Sequence, residues 1–311
     1  MRVVIKDIQQ IFNSQDRECY QQLSRLFSRV AMGQHLLCIE GDPDEIIESD
    51  FFLQAVAPMD RVEWEELVRR SLYAIDTLYP ENDSMTCEAD TLFPKAFLSL
   101  CVGTKTKQVP WHLTPHHVGE WAEQPLTLFL ENTDDWKLFE GFVRAFERDE
   151  IQLSLEQKWL KIDGRGGKGE VLKSVQRIQD YERIIVFMDS DRTSSLESAS
   201  DVANKTEHKC QAKFQPCHIS SKREIENYIP DFIIQQYYHL TTFSNPRFQK
   251  WNNLSAQEKD FADYKKELFT KNICKTFMEN CQKAEQTDME KFEPRVKTDI
   301  LNFLDLLEKY L

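Results

Sequence analysis

The chain has 311 residues, 41% hydrophobic and 29% charged, with 9 Gly and 11 Pro. That is enough apolar material for real cores, and too little Gly and Pro for a disordered or collagen-like protein. The net charge of −13 falls entirely within residues 1–150, so a broad basic face for gripping nucleic acid is excluded, and any polyanion must be met at a local patch, through metal ions or with a partner.

Residues 1–122 read as a mixed, mainly helical acidic region suited to docking or regulation. "CYQQLSRLFSRVA" (19–31) and "VEWEELVRRSLYAIDTLY" (62–79) carry apolar residues at helical spacing, and "HLLCIE" (35–40) suits a strand. The acid is concentrated in "GDPDEIIESD" (41–50) and "ENDSMTCEAD" (81–90). Three prolines break "TKTKQVPWHLTPHHVGEWAEQP" (104–125), which reads as a long irregular connection. Its histidines and tryptophans suit a partner surface or a structural loop. The opening "MRVVIKDIQQIFNSQDRE" turns polar too soon for a secretory signal. No apolar run is long enough to span a membrane. The 8 cysteines are scattered without a CxxC, as expected of free thiols in a reducing cytoplasm.

The rhythm changes after Pro125. "LTLFLE" (126–131), "KWLKIDG" (158–164), "RIIVFMD" (183–189) and "KFQPCHIS" (213–220) read as strands. Between and after them, "DDWKLFEGFVRAFERD", "EVLKSVQRIQDYE", "SLESASDVANKTEHK" and "KREIENYIPDFIIQQYY" read as helices. Such alternation predicts an α/β domain over 123–240: a parallel sheet with helices on both faces and functional groups beyond the carboxyl ends of the strands. From "FSNPRFQKWNN" onward, residues 241–311 read as a C-terminal helical region.

Three of these strands run into acid. Glu131 is followed by Asp134 and Asp135, Asp189 by Asp191, and the strand ending near Ser220 by Glu224 and Glu226. In a parallel sheet these groups converge on one edge, where carboxylates repel and raise one another's pKa. A divalent cation relieves the repulsion, and oxygen-only ligands suit Mg²⁺ or Mn²⁺. A cluster of that kind hydrolyses phosphodiesters. Asp134 alone is explained as an acid at a helix start. In "SKREIENY", Ser221 and Glu224 have the spacing of a capping box, which leaves Glu226 favoured as the metal-side acid. "GRGGKG" (164–169) is either a plain turn or a phosphate-facing loop using Gly166, Gly167, and Lys168 or Arg165. It is not a P-loop, since Ile162 and Gly169 stand where Gly and Ser or Thr are required.

"LFLENTDDWKLFEGFVRAF", "DGRGGKGEVLKSVQRI", "RIIVFMDSDR" and "SSKREIENYIPD", in that order, resemble the Toprim (Rossmann-like) domain. The closest variety is that of the OLD (overcoming lysogenization defect) nucleases and the standalone Toprim effectors of bacterial anti-phage systems. The likeness covers about 124–235. It implies a Mg²⁺- or Mn²⁺-dependent endonuclease acting on DNA or RNA, with metal held by Glu131, Asp135, Asp189, Asp191 and Glu226. Glu131 doubles as proton acceptor for water, and Lys222 or Arg223 contacts the scissile phosphate. It further implies a cytoplasmic defence protein working with a separate ATPase subunit, and it is compatible with a homo-oligomer. The family has Gly directly after its first glutamate, where this chain has Asn132.

Two other classes fit parts of the pattern. Asp189, Asp191 and Thr193 satisfy the DxDxT of haloacid-dehalogenase-like phosphatases, but that reading leaves Glu131 and the glycine turn unexplained. A Toprim scaffold that binds a metal or partner and cuts nothing is the non-enzymatic alternative. A zinc site from His208, Cys210, Cys217 and His218 matches no standard spacing, and Cys217 and His218 point to opposite faces of one strand.

Overall fold

The computed structural model describes residues 2–5, 8–39, 41–78, 97–100, 111–113, 115–179, 182–213, 215–239, 246–263, 271–283 and 294–311. The acidic stretch 81–90 and residues 104–110 of the proline-broken connection lie outside them. The chain forms two compact units. One comprises residues 1–125, 179–183 and 309–311, the other residues 126–178 and 184–308.

The first unit is mixed, with most of its described residues in helices, and it adds strands beyond the one read in "HLLCIE". It holds a four-stranded parallel sheet in the order β2-β1-β3-β4. The strands are β1 (Arg2–Ile5), β2 (Leu36–Ile39), β3 (Phe97–Leu100) and β4 (Trp111–Leu113). Each spans only three or four residues, too short to leave a clear alternation in the sequence. The connection expected to be irregular contains β4, a 3-10 turn (Pro115–His117) and helix α6 (Val118–Glu123). Helices α1 (Ile8–Phe12), α2 (Arg17–Ala31), α3 (Pro43–Ile47), α4 (Asp50–Gln54) and α5 (Pro58–Leu78) complete the unit. Asp16 starts α2 by accepting from the Glu18 and Cys19 amides. Leu23, Leu26 and Phe27 turn that helix inward, and Phe27 meets Trp64 of α5 at 5.2 Å. His35 is buried with Nε2 3.0 Å from the Ala122 carbonyl.

The second unit is also built on a four-stranded parallel sheet, in the order β6-β5-β7-β8. These are β5 (Leu126–Leu130), β6 (Leu160–Gly164), β7 (Ile184–Met188) and β8 (Cys217–Ile219). In both units the first strand in sequence is central, flanked by the second and third. Every residue of β7 is buried, which is why "IIVFM" is continuously apolar. Its side chains divide between two layers. Ile184, Val186 and Met188 join a core with Val171 and Val175 of α9 (Lys168–Arg177) and Ala203 and Cys210 of α10 (Asp201–Ala212). Phe187 points the other way. It packs 4.8 Å from Phe139 of α7 (Trp136–Ala145) and 4.9 Å from Phe303 near the chain end.

The remaining helices are α8 (Asp149–Glu156), α11 (Asp231–His239), α12 (Pro246–Asn252), α13 (Ala256–Phe261), α14 (Lys271–Lys283) and α15 (Pro294–Tyr310). Those between 246 and 308 belong to the same compact unit as β5–β8. Phe303 shows why: its ring is part of the sheet's core. Among the described residues, no helix is long and apolar enough to cross a membrane.

Candidate metal centre

The two central strands of the second unit, β5 and β7, deliver Glu131 and Asp189 to the same end of the sheet. The Asp189 N–H donates to Glu131 Oε1 at 3.1 Å, so one acid at the end of one strand directly touches the residue ending its neighbour. Asp189 is 8% exposed and Glu226 2% exposed. Burial, and then the charges of Glu131, Glu226 and Asp135, push the Asp189 carboxyl well above the usual carboxylate range. Four acids from three distant stretches of sequence therefore act on one another.

Each is held by its own local structure. After Glu131 the chain makes a 3-10 turn (Thr133–Asp135), and Asp135 Oδ2 accepts the Asn132 N–H at 2.9 Å. Asp134 points away to Lys137 at 3.0 Å and Lys275 at 3.2 Å, in keeping with a structural acid. Asp191 has φ +55°, a left-handed turn that Asp tolerates better than most residues. That turn returns its carboxylate to the Lys168 ammonium, which also lies 3.7 Å from Glu131.

The glycine turn supports this arrangement from below. A Cβ on Gly164 would stand 2.1 Å from the Thr133 nitrogen and 2.7 Å from the Asn132 carbonyl carbon, so only Gly lets the two turns nest. The Gly166 and Gly167 amides donate to the Glu131 carbonyl at 2.8 and 2.9 Å. The expected phosphate cradle is thus turned inward: these amides fix the backbone of Glu131. Gly166 and Gly167 have φ values of +87° and +121°, which aim both N–H groups at that one oxygen. Arg165 lies over the Phe129 ring at 3.8 Å and pairs with Asp163 at 3.0 Å. Lys168 is a counter-ion to the acids.

The "SKREIEN" segment also differs from expectation. The capping box between Ser221 and Glu224 does not form. Glu224 precedes a 3-10 turn (Ile225–Tyr228), and its N–H donates to Asn227 Oδ1 at 2.8 Å. The Ser221 N–H goes to Asp299 Oδ2 at 3.0 Å instead. The preference for Glu226 over Glu224 has a separate support in the effect of Glu226 on Asp189. Lys222 is buried, with its ammonium 2.8 Å from Asp260 and 2.9 Å from the Asn227 carbonyl. Arg223 pairs with Asp263 at 3.2 Å. Both proposed phosphate contacts thus sit in ion pairs.

Asp260, Asp263 and Asn227 have no role in the sequence reading, in which "DFAD" is a poor candidate because it lies in a helical stretch. Asn227 Nδ2 donates to the Lys259 and Ala262 carbonyls at 2.7 and 3.1 Å, binding the "IEN" turn to the end of α13. The signal was present as charge complementarity: adjacent Lys222 and Arg223 against acids spaced three apart in "DFAD". Ser190, inside the Asp-Ser-Asp motif, donates its N–H to Ser220 Oγ at 3.0 Å and its hydroxyl to the Lys222 carbonyl. The Asp191 N–H reaches the Arg223 carbonyl at 2.9 Å.

The donor chemistry fits a hard cation, because the converging acids offer only carboxylate oxygens and three of them, Asp135, Asp189 and Glu226, are buried. Among the described residues, no group of three or more His, Cys, Asp or Glu side chains stands placed to hold a metal ion. The Lys168 ammonium supplies positive charge between Glu131 and Asp191. Thr193 of the phosphatase-like motif is turned to its own loop, donating Oγ1–H to Glu197 at 2.6 Å. His218 stacks on Phe187, while Cys217 packs beside Cys210 on the opposite face and His208 is exposed, so these residues do not converge as a zinc set.

No protein-family model matches the chain, and neither a curated protein nor a solved structure is significantly similar to it.

Proposed function

We propose that this protein is a Mg²⁺- or Mn²⁺-dependent nuclease whose second unit is a Toprim-type domain. The observation that carries the reading is the meeting of Glu131 and Asp189 across neighbouring strand ends, with Asp135 and Glu226 acting on the same buried carboxyl. In this reading Glu131, Asp135, Asp189, Asp191 and Glu226 hold one or two divalent ions. Bound there, such ions would supply a Lewis acid for a phosphodiester and a lowered pKa for a water nucleophile. Glu131 takes the proton of that water. Lys168 balances the acids when the site is bare, and Asp260 and Asp263 pair with Lys222 and Arg223. The order of the motifs further supports a cytoplasmic effector of anti-phage defence, governed by a separate ATPase subunit.

The test is cleavage of single-stranded and duplex DNA and RNA with Mn²⁺, Mg²⁺ or chelator. Glu131→Gln and Asp189→Asn should each reduce metal-dependent cleavage by about a thousandfold, equivalent to roughly 4 kcal/mol of transition-state stabilisation. Hydrolysis of a small phosphomonoester that survives Glu131→Gln would point to the phosphatase. Metal binding without cleavage of any nucleic acid, with the ATPase partner present, would point to the scaffold.

A further inference from the structure

A cleft of about 660 Å³ opens in the second unit, lined by Lys222, Gln257, Asp260, Phe261, Asp299 and Asn302 among others. Its size falls in the range of about 300–1,000 Å³ typical of small-ligand sites. It adjoins the carboxylate cluster through the backbone: the Lys222 carbonyl that borders it accepts the hydroxyl of Ser190, between Asp189 and Asp191.

The lining chemistry is specific. Lys222, which borders the cleft, has its ammonium occupied by Asp260 and the Asn227 carbonyl. Among the described residues, what remains to face a ligand is the Asp299 carboxylate, the Gln257 and Asn302 amides, the Ser195, Ser221 and Thr298 hydroxyls and the Phe261 ring. Asp299 is fixed in place: Oδ2 accepts from the Ser221 N–H and the Tyr228 hydroxyl, and Oδ1 lies 3.2 Å from His218 Nε2. Burial pushes this carboxyl up, but His218 and Tyr228 outweigh it and hold it at about 2. Oδ1 therefore stays ionised with acceptor capacity remaining. A phosphate is repelled by such a lining. A flat, neutral group bearing an amino donor is not: it can stack on Phe261 and present its amine to Asp299 and the Asn302 amide.

We propose that this cleft receives one base of a single-stranded nucleic-acid substrate, and that it favours the amino-bearing bases adenine, cytosine and guanine over uracil and thymine. The proposal rests on the nuclease reading for its biological sense, but the binding itself needs no metal.

Saturation-transfer NMR on the full chain in EDTA, with CMP and UMP as probes, tests it directly. The base protons of CMP should receive saturation, with UMP at least tenfold weaker, and inorganic phosphate should not displace CMP. Phe261→Ala should weaken CMP binding about tenfold. Asn302→Ala, on an exposed helical position where folding is not at stake, should reduce the preference for CMP over UMP. Equal binding of CMP and UMP, absence of binding, or variants that bind as wild type would each overturn the proposal. Cleavage of oligo-C and oligo-U in Mn²⁺ separates the two readings. Equal cutting of both, with KM unchanged in Phe261→Ala, removes the base site and leaves the nuclease. CMP binding without any cleavage removes the nuclease and leaves the base site.

Discussion

Replacing Asp189 with Asn should stabilise the metal-free protein while weakening its response to metal. Asp189 is 8% exposed, and its carboxyl is raised by burial and by Glu131, Glu226 and Asp135. The folded protein therefore retains a proton there that the unfolded chain releases. Wild-type stability falls as pH rises from the ordinary value of 3.8 through the raised one, and the Asn variant lacks that fall. Keeping a carboxyl protonated above its ordinary pKa costs about 1.4 kcal/mol for each unit of pH. Lys168 offsets part of this, so a net gain of about 1–2 kcal/mol is expected at neutral pH, in line with gains from relieving strained functional sites. For a domain of this size the melting temperature should rise by about 2–4 °C per kcal/mol. The assay is calorimetric melting at pH 7.5, first in EDTA and then in Mn²⁺. At a metal concentration about 100-fold above Kd the wild type should gain roughly 2.7 kcal/mol, and the variant much less. An Asn variant that melts at or below wild type in EDTA, or that gains as much from Mn²⁺, would refute the reasoning.

Gly164→Ala should cost about 1–3 kcal/mol and reduce cleavage, because its Cβ would meet the backbone of Asn132 and Thr133; Gly169→Ala, with open space around it, should leave melting and cleavage intact. Lys168→Met should lower the melting temperature in EDTA, where the acids lose their counter-ion, yet enlarge the upward shift produced by Mn²⁺; an unchanged EDTA melt would contradict the counter-ion role. Burial, then the charge of Arg183, holds the His35 imidazole well below its ordinary 6.5. The folded protein thus binds fewer protons at His35 than the unfolded chain, and stability should drop as pH falls below about 6.5. Melts at pH 7.5 and 5 should differ less in His35→Gln than in wild type.

The second unit was largely legible because its central strands are buried on both faces. "IIVFM" is an unbroken apolar run and "LTLFL" is interrupted only by Thr127, and the acids that follow them mark the carboxyl edge of the sheet. In the first unit only β2 was legible, in "HLLCIE"; β1, β3 and β4 are too brief for periodicity. The site divided along similar lines. Glu131, Asp189 and Glu226 could be picked out by position after a strand, whereas the inward turn of the Gly166 and Gly167 amides depends on which carbonyl lies opposite. Likewise, the pairing of Lys222 with Asp260 joins residues 38 positions apart and follows from where α13 packs. No local pattern encodes that contact; only the complementary charges hint at it.

The central claim is that Glu131, Asp189 and Glu226 share a hard cation. Anomalous scattering from a crystal soaked in Mn²⁺ tests it without reference to substrate. The expected result is a manganese peak among these three carboxylates, lost in Asp189→Asn. Contradiction would be a fully occupied lattice of wild-type protein in millimolar Mn²⁺ with no peak there, or with its peaks only at unrelated surface acids.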